Sequence, residues 1–186
     1  MSRAVASAAV VAAAVFATGC GGGETRTAPA DELGPAGQWV AVLTLTSTAF
    51  VGGDPIPARH SCDDADLSPG LAWSGLPEGT ASLALLVDDP DAPGGSFTHW
   101  LAWDLDPAAG ELPEGAAALA DGRNGFGGRG YRGPCPPRGG PHQYLFRLYA
   151  LDAPLSLEPG ADKAAFQAAL AGHVLGAGEL TGTYER

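Results

Sequence analysis

The residues best suited to chemistry in this 186-residue chain are carboxylates and imidazoles at the ends of apolar runs. Asp88-Asp89-Pro90-Asp91-Ala92-Pro93 follows directly on Ser82-Leu83-Ala84-Leu85-Leu86-Val87. Carboxylates at the end of a buried-type run are costly unless solvated or paired. A solvated acidic turn is one reading, since Asp and Pro both form turns. There are four histidines: His60, His99, His142 and His173. His99 opens an aromatic-rich run just after the acidic turn, and His142 opens another after a long loop. Tyr144 lies two residues beyond His142, so both project on one face if a strand begins there. Imidazole N–H, phenol O–H and backbone N–H groups can together hold a phosphate or carboxylate oxygen. A protonated ring adds charge assistance. A carboxylate such as Asp89 would orient a neighbouring ring, and could also accept from an ammonium group. From spacing alone, a purely structural role for the strand-end histidines is equally open.

Other chemistries fit less well. Taking Asp89 as the first residue of an EF-hand loop puts Trp100 where a bidentate Glu is required. HExxH, GxSxG and P-loop signatures are absent. Two His and an Asp could supply three zinc ligands, but their spacing does not demand it. Ser96 lies near the acidic turn with nothing that places a base within its reach. No catalytic residue, metal or cofactor is expected, and the chain reads as a non-enzyme. Gly133-Pro134-Cys135-Pro136-Pro137 carries three prolines in five residues. Proline fixes the backbone, so this loop is either a rigid wall beside a pocket or a stiff surface connection. Arg123, Arg129, Arg132 and Arg138 give the surrounding segment a local positive rim.

The elements that must position these residues are mostly strands. Val40–Thr46 has period-2 character, and Ser82–Val87 reads as a strand covered on both faces. His99–Asp104 and Tyr144–Leu151 are aromatic-rich and strand-like. Residues 52–58, 89–96, 106–115 and 121–142 read as loops. Asp162 to His173 is the one helical stretch, with Asp162 as cap and Phe166 and Leu170 at i, i+4. Leu180–Tyr184 adds a final edge strand. The expected architecture is mainly β, a sandwich with one or two peripheral helices.

Composition bounds the function. The chain has 28 Gly, 16 Pro, an apolar fraction of 45% and a formal charge of −11. That charge disfavours nucleic acid, which needs a basic surface. The N-terminus carries Arg3, an apolar run from Ala4 to Phe16 and Ala17-Thr18-Gly19 before Cys20. This is a secretory signal over residues 1–19. Its end resembles a bacterial lipobox, so Cys20 is expected to be acylated, an ordinary cleaved signal or uncleaved anchor being the alternatives. Residues 20–37 form the lipidated Cys and a Gly/Pro-rich tether, and residues 38–186 the folded domain. The protein is expected to be exported and lipid-anchored to the bacterial cell membrane, facing away from the cytoplasm.

Several segments occur in an order that resembles the phosphatidylethanolamine-binding protein family, in its bacterial branch of small Raf kinase inhibitor-like proteins. They are Ser61-Cys62-Asp63 with Leu67-Ser68-Pro69, Leu71–Pro77, Asp88–Pro93, Thr98-His99-Trp100, Asn124–Gly127, Gly130–Pro137, His142-Gln143-Tyr144, Leu148–Asp152, His173-Val174-Leu175 and Leu180–Tyr184. The resemblance implies a β-sandwich domain and a small anion-binding cavity. By it, Asp89, Asp91, His99, Gly133, Cys135, Pro136, Pro137, His142 and Tyr144 line that cavity. The implied function is binding of a small anionic ligand or phospholipid head group, phosphate-like or phosphorylethanolamine-like. A protein-interaction module that inhibits a protease or kinase is the alternative. With Cys20 acylated, Cys62 and Cys135 remain in an oxidising compartment. A disulfide between them is the simple expectation, two separate thiols the alternative.

Overall fold

The computed structural model describes residues 41–117 and 120–186. The signal segment, Cys20 and the tether over 20–37 lie outside the described residues. Nine strands and one α-helix occur among the described residues, with two short 3-10 turns at Ala58–His60 and Pro107–Ala109. The strands are β1 (Ala41–Val42), β2 (Thr44–Ser47), β3 (Leu71–Ser74), β4 (Ser82–Asp89), β5 (Phe97–Leu105), β6 (Glu111–Leu112), β7 (Ala120–Asp121), β8 (His142–Leu151) and β9 (Val174–Tyr184). The helix α1 spans Lys163–Leu170 between β8 and β9. The larger sheet has the order β1-β9-β8-β4-β5-β7 and the smaller β2-β3-β6. Pairing is antiparallel except between β1 and β9.

β4 is buried along its whole length because both faces of the large sheet are covered. Leu83, Leu85 and Val87 face the small sheet, in a core with Leu45, Leu71, Trp73, Trp100, Phe146 and Leu148. Ala84 and Leu86 face the other way, with Leu101, Trp103, Leu151, Phe166 and Leu170. Strand alternation thus sorts one continuous apolar run into two cores. Helix α1 supplies the second cover through Phe166 and Leu170, one turn apart. The Asp162 carboxylate caps it, accepting from the Ala165 N–H at 2.9 Å.

Several elements differ from the sequence reading. The segment 40–46 is not one strand: after Val42 the chain leaves the large sheet, and Thr44–Ser47 joins the small one. The helix is shorter than expected, because Ala171 is extended and Gly172 adopts φ +85. The terminal strand begins at Val174 rather than Leu180, and in sheet order it lies between β1 and β8. Its glycines concealed it. A Cβ on Gly178 would stand 2.5 Å from the Leu43 carbonyl oxygen, so close packing excludes side chains there. Loop segment 106–115 contains the short strand β6, and 121–142 loses its two ends to β7 and β8.

Candidate functional site

β4 ends in two adjacent carboxylates whose side chains diverge. Asp88 meets Lys163 of α1 at 2.5 Å and accepts from the Thr98 hydroxyl at 2.9 Å. Asp89 takes the opposite face. Its Oδ2 lies 2.8 Å from His142 Nδ1, at the start of β8. Its Oδ1 accepts the Asp91 N–H at 2.8 Å, which closes the acidic turn. Asp91 is exposed, and its carboxylate accepts the Gln143 N–H at 2.8 Å, tying that turn to β8.

His99 sits where β5 carries an extra residue. Val87 pairs with Trp100 and Asp88 with Thr98, so His99 has no partner on β4. Such bulges re-aim a side chain and recur beside functional sites. The ring Nδ1 lies 2.6 Å from the Arg132 carbonyl, and the Arg132 N–H donates to the His99 carbonyl at 3.1 Å. A carbonyl only accepts, so Nδ1 carries the proton and a neutral ring presents Nε2 as an acceptor. Burial lowers the His99 pKa below the usual histidine value, against the smaller raising effects of the Arg132 carbonyl and Asp89. Near neutrality His99 is therefore uncharged and does not supply the charge assistance that a protonated ring would.

The wall over 133–137 is fixed from behind. Gly133 N–H donates to Asp66 Oδ1 at 2.7 Å, and Cys62 N–H to the Pro134 carbonyl at 3.1 Å. Cys62 and Cys135 are joined by a disulfide, with Cα atoms 5.4 Å apart. Gly133 packs so closely on the preceding segment that a Cβ would stand 2.1 Å from the His60 carbonyl oxygen.

These elements enclose a cavity of ≈ 270 Å³ lined by Asp89, His99, Cys135, Pro136, Pro137 and His142, with Ala92, Pro93, Phe97 and Phe126. Three residues expected in the lining stand elsewhere. Asp91 is turned to β8, and Gly133 is spent on backbone packing against His60. Tyr144 lies behind His99, ring centroids 5.2 Å apart, in the sandwich core. Its hydroxyl is buried beside Asp89 and the Cys135 backbone, with no hydrogen bond of good geometry among the described residues. Burial raises its pKa, and the nearby Asp89 carboxylate adds to the rise. The apolar members Phe97 and Phe126 were missed as lining. Phe97 is two residues before His99 on β5, and their rings lie 5.4 Å apart, so strand alternation carried a signal. Phe126 comes from a Gly-rich loop with no periodicity to place it.

Among the described residues, no cluster of three or more His, Cys, Asp or Glu could hold a metal ion. No helix there is long and apolar enough to cross a membrane.

Comparison with known proteins connects this geometry to a family. Residues 46–185 match the family model for phosphatidylethanolamine-binding protein. A UPF0098 protein of Pyrococcus horikoshii is 47% identical over 150 residues, covering 75% of each chain. LppC of Mycobacterium tuberculosis, which its name describes as a lipoprotein, is 40% identical over 178 residues, covering 90% of this chain and 88% of its own. A crystal structure titled as a phosphatidylethanolamine-binding protein homolog from Chlamydia trachomatis superposes with a TM-score of 0.74 at 42% identity, covering 78% of this chain and 98% of that one. The Escherichia coli protein YbcL, titled a new member of the mammalian family, gives 0.73 at 33% identity, covering 78% and 99%. With the family model matched over most of its length, and with the same two-sheet architecture, the chain belongs to the phosphatidylethanolamine-binding protein family.

Proposed function

We propose that the cavity between Asp89, His99, His142 and the Pro-rich wall binds a small phosphate-bearing ligand or phosphorylated head group. We further propose that acylated Cys20 holds the protein at the outer face of the cell membrane. The observation that carries the first part is the Asp89–His142 pair at 2.8 Å on the rim of a preformed cavity. Asp89 fixes His142 through Nδ1, so a protonated ring turns an Nε2–H donor to a ligand. His99, neutral and protonated on Nδ1, accepts through Nε2. Together they suit an oxyanion that retains at least one proton: one oxygen accepts from His142 and the ligand's own O–H donates to His99. A phosphate monoanion has that form and a sulfate does not. The Pro-rich wall, stapled by its disulfide, is preformed and limits the entropy lost on binding. The reading is of binding rather than turnover, since the lining offers neither a hydroxyl nor a free thiol.

The family's name and its members' titles support a binding role. The lipobox-like sequence at Cys20 and the lipoprotein relative support the anchor. Inhibition of a protease or kinase has no comparable feature in its favour.

Calorimetry with phosphate, phosphorylethanolamine and sulfate tests this. Phosphate and phosphorylethanolamine bind, and sulfate binds more weakly. His142→Ala loses about 1.5–3 kcal/mol of binding, the value of a charged hydrogen bond. Equal affinities in wild type and His142→Ala would end the proposal.

A further inference from the structure

A second cavity, partly polar, lies against Gly130 and Tyr131. It measures ≈ 210 Å³ and is bordered by Asp66, Ser68, Trp100, Asp121 and Tyr131, with small residues at Gly115–Ala117. Its two carboxylates differ in how far they are committed. Asp66 Oδ1 accepts the Gly133 N–H at 2.7 Å and Oδ2 lies 3.1 Å from Arg132 Nε, so both oxygens are used and the charge is offset. Asp121 Oδ1 accepts the Trp100 indole N–H at 2.9 Å. Its Oδ2 has no hydrogen-bond partner among the described residues. Arg129 lies close, but its Nε donates to the Asp121 backbone carbonyl at 3.3 Å rather than to the carboxylate.

A second observation is independent of the carboxylates. Ser68 borders the same cavity with a relative exposure of 3%, and its buried hydroxyl has no hydrogen-bond partner among the described residues. A buried polar group left unsatisfied costs free energy and calls for an explanation such as an absent ligand. The aromatic borders are Trp100 and Tyr131, set edge to face with centroids 5.6 Å apart. Tyr131 spends its hydroxyl on the His60 carbonyl at 2.7 Å, which leaves its ring as wall.

We propose that this cavity is a second binding site, taking a small organic ammonium ion. Asp121 Oδ2 would pair with the positive head, the aromatic borders would surround its alkyl groups, and the Ser68 hydroxyl would accept an N–H or bond a hydroxyl on the ligand. A metal ion fits poorly, because hard cations require several oxygen ligands and no cluster of three exists here. The acidic chain, formally −11, favours cation capture in general. Burial raises the Asp121 pKa, and the Trp100 indole N–H and the nearby Arg129 offset only part of that rise. The site shares no lining residue with the cavity at His142.

The Trp100 indole proton reports on it directly, since it is bonded to Asp121. Nitrogen–proton correlation spectra would be recorded on the full chain during titration with methylammonium and then tetramethylammonium chloride, against sodium chloride at equal ionic strength. We expect a saturable shift of the Trp100 indole resonance with at least one ammonium ion and none with sodium. The Trp103 indole, buried in the helix-side core, serves as control. Asp121→Asn keeps an acceptor for the indole while removing the charge, and should weaken the response about tenfold. Ser68→Ala should weaken the methylammonium response several-fold with the fold intact, and supplies the test should Asp121→Asn misfold. His142→Ala should respond as wild type, which separates this site from the phosphate cavity. No shift beyond the sodium control, or an undiminished shift in both Asp121→Asn and Ser68→Ala, would overturn the proposal.

Discussion

Reduction of the Cys62–Cys135 bridge is the perturbation whose effect follows most directly from the fold. The bond closes a loop with a sequence separation of 73 residues. In the chain-entropy model a loop of that length restricts the unfolded ensemble by about 4 kcal/mol. Whole domains are stable by about 5–15 kcal/mol, so the bridge accounts for a large share. Urea unfolding should be followed by tryptophan fluorescence with and without reductant, on a Cys20→Ser background so that no third thiol takes part. With a denaturant slope of about 2 kcal/mol/M, reduction should lower the midpoint by roughly 2 M. Cys62→Ala with Cys135→Ala should reproduce that shift without reductant. Because Cys135 lines the cavity at His142, the reduced protein should also bind phosphate more weakly. A midpoint change below about 0.5 M would refute the reasoning. The Gly133–Asp66 and Cys62–Pro134 hydrogen bonds would then be holding the wall without help.

Gly133→Ala should destabilise the domain by about 3 kcal/mol or more in thermal melts, because the new methyl group meets the His60 carbonyl and neither backbone can give way. A change under about 1 kcal/mol would show that the wall yields. His99 makes stability depend on pH. Its folded pKa is lowered, so the unfolded chain binds the proton more readily. The stabilisation is whole above about 6.5, the unfolded value, and is lost as pH falls through the folded one. Melting temperatures from about pH 7 to 5 should therefore fall more steeply in wild type than in His99→Gln, and parallel slopes would contradict this. Cys20→Ser should move the protein from the membrane to the soluble fraction on cell fractionation, and unchanged partitioning would remove the anchor.

The sequence was most legible where burial is periodic or punctuated. The run Ser82–Val87 announced a strand covered on both faces because every residue in it is apolar or small. The motifs at Asp89, His99 and His142 pointed to one cavity, and the fold brings these three side chains together. Tyr144 was misplaced because position on a strand face says nothing of depth. It shares a face with His142 but sits a layer further in. β9 was cut short because its glycines read as loop, and only three-dimensional proximity to Leu43 and Ile56 explains them. The break between β1 and β2 had no local signal, since Leu43 is as apolar as its neighbours and the change of sheet is a tertiary decision. The protonation of His99 was equally invisible, being dictated by the carbonyl of Arg132, distant in sequence.

The divergence of Asp88 and Asp89 bears on folding fidelity. A strand slipped by one residue exchanges its two faces. In β4 such a slip would carry Asp88 toward His142 and turn Asp89 toward Lys163. Each carboxylate would still meet a hydrogen-bond donor, so polar pairing alone would not reject the error. The apolar residues of the run would not reject it sharply either, since both faces are buried and both accept leucine. The small residues do discriminate: Ala84 lies on the helix side, where a slip would force Leu83 or Leu85 against Trp103 and Phe166. β5 carries an extra residue opposite β4 in two places, one between the partners of Leu83 and Leu85 and one at His99. The irregularity that aims the imidazole into the cavity thus also marks the pairing as specific, because a bulge fits only one register.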